Sequence, residues 1–164
     1  MIKIKPIKIT GSWKLGYFLD YHTIKSDFSH YDEFGHHRFN NEHTEMGKLL
    51  YQLKYKSDKS VIPEIVDTVT YFIREKAWKI DFIIPVPPNN INRKVKPSID
   101  VAKGISDSLG IPFCDDCIRK IKETSQIKNV NDYNERIMIL EGSYRTDRNK
   151  VLDKRVLLID DLYR

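Results

Sequence analysis

The sequence has little cysteine and no long apolar run, and both shortages narrow what the protein can be. Only 2 of its 164 residues are cysteines, too few for the disulfide framework of a small secreted domain. No stretch approaches the roughly 20 apolar residues that a membrane-spanning helix needs. The first residues alternate apolar side chains with lysine and lack the apolar centre of a secretion signal. These absences predict a cytoplasmic protein with no membrane partner.

Repeats and low-complexity tracts are also missing, and the length suits one domain with a small addition. A chain of 164 residues is long enough to form a core without metals or disulfides. The net charge is +5, from 28 basic and 23 acidic residues that are well mixed along the chain. Such a balance favours anionic partners, namely a nucleic acid, a membrane surface or a phosphorylated small molecule. A mixed, solvated surface is the simpler interpretation.

Residues 1–41 are predicted to form a strand-rich N-terminal appendage. Isoleucines alternate from Ile2 to Ile9 with a slip across Pro6, which indicates an edge strand or a bulge. A second strand is predicted over 13–21. The polar, histidine-rich stretch that follows has no clear period, so we expect a loop or a hood-like insertion there.

Residues 42–164 have the pattern of an α/β core. Apolar residues at three- and four-residue steps predict helices, and short apolar runs between them predict buried strands. The predicted elements, in chain order, are helices at 46–53 and 62–73, a strand at 80–84, a helix at 98–109, a strand at 111–114, a helix at 131–140 and a strand at 156–159. Strand, helix and strand over 80–114 make a βαβ unit. The sequence predicts an open, mainly parallel sheet flanked by helices.

Polar residues follow the last predicted strand in a way that indicates a binding site. Asp160 and Asp161 come directly after the run at 156–159, and ligands of open parallel sheets bind beyond the carboxyl ends of the strands. Adjacent carboxylates can accept hydrogen bonds from the two hydroxyls of a ribose and can help to hold Mg²⁺. A strand that ends in an acidic turn without a ligand explains the same two residues.

The stretch from Val156 to Tyr163 resembles the first part of the phosphoribosyl-pyrophosphate motif of type I phosphoribosyltransferases. In that family an apolar strand leads into two acids that hold the ribose hydroxyls, and a small-residue loop that grips the 5′-phosphate follows. The sequence ends at Arg164, so we expect the motif to be truncated. The resemblance implies Mg²⁺-dependent transfer of a phosphoribosyl group from phosphoribosyl pyrophosphate to a base or an amine, with Asp160 and Asp161 as the catalytic residues.

Other segments are similar to the ComF-type branch of this family, which is linked to DNA uptake. They occur in the expected order over about residues 45–164 and are Leu53-Lys54-Tyr55, the run DFIIPVP from Asp81 to Pro87, and the succession of Thr124, Gln126, Arg136 and Gly142-Ser143-Tyr144. The zinc-binding cysteine pairs at the N-terminus of that branch are absent. Residues 96–100 also replace its Arg-Gly-Phe-Asn-Gln segment.

The resemblance assigns further roles beyond the acid pair. It implies that the pyrophosphate meets the segment after the strand at 80–84, through Pro85, Val86, Pro87, Arg93 and Lys94. It also implies a flexible loop over the site, with Thr124, Gln126 and Arg136 as candidates. A rigid strand exit explains the prolines equally well, solvated loop residues explain Arg93 and Lys94, and a surface helix cation explains Arg136.

The two cysteines, Cys114 and Cys117, stand in one CxxC sequence. One such pair supplies two of the four ligands of a structural zinc site, and the two acids between the thiols raise thiol pKa values. We therefore predict reduced thiols with neither a metal nor a redox role. A zinc ion shared with His36, His37 and His43 is the alternative.

A non-catalytic module with the same fold is the alternative to an enzyme. Such a module would sense a nucleotide or bind a protein or DNA partner. The truncated motif favours the module, whereas the intact acid pair favours the enzyme. Without a covering helix, the strand at 156–159 is expected to expose an apolar face, relieved by self-association or by a further segment.

Overall fold

The structure, a computed structural model, describes residues 1–89, 94–122 and 132–162. Over those ranges the chain is a mixed α/β protein with five α-helices and four two-stranded sheets. In chain order the elements are β1 (Ile7–Ile9), β2 (Gly16–Phe18), β3 (Thr23–Tyr31), β4 (His37–His43), α1 (Glu45–Tyr55), a 3-10 turn (Lys59–Val61), α2 (Ile62–Lys76), β5 (Phe82–Pro85), α3 (Pro97–Leu109), β6 (Ile118–Lys120), α4 (Tyr133–Leu140), β7 (Tyr144–Thr146), α5 (Arg148–Val151) and β8 (Val156–Ile159).

The first 43 residues form two antiparallel hairpins, β1–β2 and β3–β4. The second hairpin occupies the stretch for which a loop was one of the two expectations. Its strands expose nearly every residue on both faces, so the sequence lacks the alternation of apolar and polar residues that marks a half-buried strand. Its turn is closed by Asp32, whose Oδ1 accepts the backbone N–H groups of Phe34 and His36.

Three helices build the hydrophobic core, as their apolar periodicity predicts. Pro63 lies in the first turn of α2, where its missing N–H costs nothing, and Gly110 ends α3 in a left-handed conformation. Leu53 of α1, Ile65 of α2 and Ile105 of α3 are almost completely buried in one cluster. Helix α1 is thus packed tightly against the two helices that flank the parallel strands.

The parallel part of the fold is small. Strand β5 pairs with β8 in parallel register, from Phe82 opposite Val156 to Pro85 opposite Ile159. On the other side of β5, Ile83 exchanges backbone hydrogen bonds with Pro112 and Cys114, at 2.9 Å and 3.0 Å. The predicted strand at 111–114 is therefore reduced to a single bridge at Phe113. Over the described ranges, the large open sheet that the sequence predicts is not present.

The order of these segments reverses at β5. Residues 112–114 lie on one side of β5 and β8 lies on the other, so the chain leaves β5 in one direction and later returns on its opposite side. In α/β sheets such a reversal of strand order opens a crevice at the carboxyl ends of the two strands. Here those ends are Pro85 and Ile159.

Three elements after α3 were not predicted, namely the strands β6 and β7 and the short helix α5. Strands β6 and β7 form a short antiparallel ribbon of three residue pairs, from Ile118 opposite Thr146 to Lys120 opposite Tyr144. Three-residue strands with charged side chains carry no readable apolar pattern. Helix α4 agrees with the helix predicted at 131–140. Within the described ranges, none of the helices has the length and apolar character required to cross a bilayer.

The last strand exposes apolar residues, as expected from its lack of a covering helix. Val156 and Leu158 are 38% and 51% exposed on one face of β8, whereas Leu157 and Ile159 pack against the core. Alternation along the strand explains this division, because successive side chains point to opposite faces.

At the amino ends of β5 and β8, Arg155 holds Asp81. The Arg155 side chain donates two hydrogen bonds to the two carboxylate oxygens of Asp81, at 2.6 Å and 2.9 Å, and its backbone N–H adds a third at 2.7 Å. These bonds from Arg155 hold the pKa of Asp81 well below its usual range. The pair thereby secures the parallel register from the end opposite to the crevice.

Because the folded state lowers the pKa of Asp81, its ionised carboxylate stabilises the protein above pH 4, and this contribution is lost as the pH falls further. We expect Asp81→Asn to lower the melting temperature at pH 7 by a few degrees. The difference from wild type should shrink towards pH 2. Thermal unfolding followed by circular dichroism over pH 2–7 measures this, with Asp107→Asn on the exposed face of α3 as the control. A pH-independent difference would contradict the role of the charge.

Candidate functional site

The candidate site lies where β5 and β8 end side by side. The N–H of Val86 donates to the carbonyl oxygen of Ile159 at 2.8 Å, so the two strand ends are joined one residue beyond β5. The carbonyl oxygen of Val86 accepts a hydrogen bond from the hydroxyl of Ser98, a buried residue in the first turn of α3, also at 2.8 Å. The segment that leaves β5 is therefore fixed on both sides before it enters the loop.

Asp160 and Asp161 follow β8 directly and face this joint. The carboxylate of Asp161 lies 2.6 Å from the ammonium group of Lys54, and both side chains are mostly buried, at 17% and 21% exposed. The N–H of Asp161 donates to Oδ1 of Asp160 at 2.8 Å. The carboxylate of Asp160 is thus held by the backbone of Asp161, and a cation from α1 pairs with the carboxylate of Asp161.

The two acids differ in their environment. Partial burial of its carboxyl group and the adjacent charge of Asp161 raise the pKa of Asp160 to about 6, against the opposing influence of Lys54. Burial and the charge of Asp160 likewise raise the pKa of Tyr144, which places this ring near the acid pair. Asp160 is therefore a carboxyl group that exchanges its proton close to neutral pH, a property that concentrates at functional sites.

A second cation lies beside the loop after β5. The ammonium group of Lys120, at the end of β6, lies 2.7 Å from the side-chain oxygen of Asn89. The structure places Lys120 in the β6–β7 ribbon. The ribbon thus brings a positive charge to the loop that the family resemblance assigns to pyrophosphate.

The structure brings together part of the predicted site. Asp160 and Asp161 directly follow β8, and Pro85, Val86 and Pro87 end or follow its partner strand β5, with Pro85 opposite Ile159 and Val86 bonded to Ile159. Lys94 is exposed ahead of α3, and Arg136 is half-buried in the first turn of α4. The remaining candidates, Arg93, Thr124 and Gln126, lie outside the described residues.

Lys54 and Lys120 are the contacts that the sequence analysis did not assign. Lys54 belongs to the Leu-Lys-Tyr signature that resembles the ComF-type branch, so the motif pointed to the residue but not to its partner. Asp161 is 107 residues further along the chain, and no local sequence pattern indicates a contact between residues so far apart. For Lys120 the sequence carried no signal.

The two cysteines do not have the predicted state, because Cys114 and Cys117 form a disulfide. The acid between them that was expected to disfavour this chemistry, Asp116, is itself neutralised by Lys150 at 2.6 Å and Arg119 at 3.3 Å. The alternative zinc site with the histidines is also not formed. Among the described residues, the cluster of ligand atoms close enough for a metal consists of Cys114, Asp116 and Cys117.

Neither the protein-family models nor the curated proteins gave a match to this chain. The phosphoribosyltransferase resemblance therefore remains a prediction that the short motifs carry. The function must be argued from the geometry at the strand ends.

The two adjacent acids are expected to have opposite effects on stability in the absence of ligand and metal. Because the folded state raises the pKa of Asp160, its charge opposes folding increasingly from about pH 4 to pH 6. Asp160→Asn should raise the free energy of unfolding at pH 7.5 by about 1 kcal/mol, since water reaches this exposed residue and screens the effect. Asp161→Asn should lower it by about 1–2 kcal/mol, because Lys54 loses its partner.

Urea unfolding in the presence of EDTA, at pH 4 and pH 7.5, distinguishes these effects. The benefit of Asp160→Asn should disappear at pH 4, where the wild-type carboxyl group is already protonated. Equal effects of the two substitutions would contradict the different environments of the two carboxylates.

Proposed function

We propose that the crevice at the ends of β5 and β8 binds phosphoribosyl pyrophosphate, and that the protein belongs to the phosphoribosyltransferases. The observation that carries this proposal is the coupled acid pair Asp160–Asp161 at the point where the strand order reverses, with Lys54 held on Asp161. A reversal of strand order is where open α/β folds bind nucleotides and sugar phosphates. The proposal includes the finer fold, a type I phosphoribosyltransferase sheet, of which β5, β8 and the bridge at Phe113 would be the central part.

The chemistry of the pair suits a ribose. Two adjacent carboxylates offer four oxygens that can accept hydrogen bonds from the 2′- and 3′-hydroxyls, and charged acceptors make the stronger bonds. The same oxygens fit Mg²⁺, which is commonly held by one or two carboxylates together with the phosphates of the substrate. Bound Mg²⁺ would neutralise the pyrophosphate. The sulfur ligands of the Cys114–Cys117 cluster do not suit this ion.

In the transfer itself, a nitrogen of the acceptor forms a bond to C1 of the ribose as the bond from C1 to the pyrophosphate oxygen breaks. The ribose gains positive charge in the transition state. Asp161, which is paired with Lys54, would supply fixed negative charge near the ring, and preorganised charge of this kind is a major source of rate enhancement. Lys120 would supply positive charge beside the departing pyrophosphate through its position at Asn89.

Ligand-dependent thermal stabilisation tests the proposal. With phosphoribosyl pyrophosphate at about 100 times its Kd and Mg²⁺ present, the native state gains about 2.7 kcal/mol. For a chain of this size the melting temperature should rise by about 5 °C or more. Removing Mg²⁺ should abolish the shift, and so should Asp161→Asn. Asp107→Asn on α3 should keep it. A wild-type protein that shows no shift at any Mg²⁺ concentration would refute binding.

One surface favours the alternative, a non-catalytic binding module. On the β3–β4 hairpin, Phe28 packs against Tyr31, His37 and Phe39 with ring centroids 5.1, 5.6 and 6.1 Å apart. We call these four residues the aromatic face. Phe28, Tyr31 and Phe39 are each at least half exposed. The hairpin, residues 22–43, contains two basic and four acidic residues, so its charge repels nucleic acid and favours a protein partner, including a second copy of the chain.

Sedimentation velocity at increasing protein concentration tests self-association through the aromatic face. Wild type should show a sedimentation coefficient that rises with concentration, and the double variant Phe28→Ser, Phe39→Ser should remain monomeric. Asn40→Ser is the matched control, because its side chain points to the opposite face of β4 from Phe39. A wild-type protein that is monomeric throughout would exclude a second copy as the partner.

A further inference from the structure

The disulfide closes the turn between two parts of the fold. The N–H of Cys114 donates to the carbonyl oxygen of Ile83 at 3.0 Å, which anchors Cys114 on β5. The carbonyl oxygen of Cys117 accepts the N–H of Asp147 at 2.9 Å, which anchors Cys117 at the base of the β6–β7 ribbon. The covalent bond therefore closes the turn by which the chain passes from the edge of the parallel strands to the ribbon.

The ribbon cannot be stable by itself. It has three residue pairs, and two-stranded ribbons of this size are at best marginally stable in water. Its other polar links to the rest of the protein include the contact of Lys120 with Asn89 and the ion pair of Asp116 with Lys150 of α5. Both are exposed, and exposed polar pairs contribute little. The disulfide fixes the conformation of the turn at the base of the ribbon.

The same bond contributes little to the stability of the whole domain. The two cysteines are three residues apart in sequence, and the entropy that a cross-link removes from the unfolded chain is small for so short a loop. Breaking the disulfide should therefore change the structure only near the two cysteines. We propose that Cys114–Cys117 is a redox-controlled latch that holds the β6–β7 ribbon against the parallel strands and is opened by dithiol reductants. This inference does not depend on the proposed phosphoribosyltransferase function.

The burial of the two sulfur atoms determines which of them the reductant attacks. Cys117 is completely buried, whereas Cys114 is partly exposed, so a thiolate of the reductant attacks the sulfur of Cys114. A mixed disulfide forms there, the bond between the two cysteines breaks, and Cys117 leaves as a thiolate. The second thiol of the reductant then displaces Cys114, and the reductant departs as its own disulfide. The protein gains two electrons and two protons.

Opening the latch would act on the ribbon and on Lys120, the ribbon residue that contacts the loop after β5. Amide hydrogen exchange measures the protection of the ribbon directly. The wild-type protein is incubated with oxidised or reduced dithiothreitol, and its exchange is then followed by mass spectrometry. We expect exchange over residues 118–121 and 144–147 to be about tenfold faster in the reduced protein. Exchange over β5 and α2 should not change.

The variant Cys114→Ser, at the more exposed position, should exchange like the reduced wild type in both buffers. Intact mass after alkylation reports the redox state of each sample. Equal protection of the ribbon in the two states would overturn the proposal. Faster exchange over the whole domain would also overturn it, because the disulfide would then stabilise the entire fold and not the ribbon alone. Thiols that stay reduced in every oxidising buffer would overturn it as well. The wild-type comparison decides the matter even if the variant does not fold.

Discussion

The parallel pairing of β5 with β8 is the interaction on which the rest of the structure depends. It joins segments that are 74 residues apart, and polar contacts secure it at both ends. Arg155 clamps Asp81 at the amino ends, and Val86 donates to Ile159 at the carboxyl ends. Any slip in this register would move the acid pair away from the segment that follows β5. The carboxyl ends of the two strands lie side by side because the register is held at both of its ends.

The candidate site contains an arrangement of charges that lowers the stability of the folded protein. Two carboxylates stand next to each other. Partial burial of the carboxyl group of Asp160 and the adjacent charge of Asp161 raise the pKa of Asp160. Lys54 pairs with Asp161 and also opposes the rise in the pKa of Asp160. Under the proposed function, hydroxyl donors or a cation from the ligand would relieve the remaining repulsion. The same arrangement is a cost to the empty protein, which is the usual relation between a functional site and stability.

Local features were predictable to a large extent, and they include the helices, the strands that became β5 and β8, and the acids that follow β8. Helix periodicity and the stop at Gly110 depend on neighbouring residues only, so a linear sequence records them. The β3–β4 hairpin and the β6–β7 ribbon were missed because exposed strands have no apolar alternation to reveal them. The disulfide was missed for a related reason. The charges that offset Asp116 include Lys150, which is 34 residues away.

The sequence by itself determined the core helices, the buried strands β5 and β8, and that two acids follow an apolar strand. Such properties follow from propensities and periodicities within about ten residues. Only the tertiary structure decided that Lys54 meets Asp161 and that Lys120 reaches Asn89. These contacts join residues whose distance in space depends on the packing of α1 and on the β5–β8 register. No local rule encodes an ion pair across 107 residues, because its geometry exists only after the core has formed.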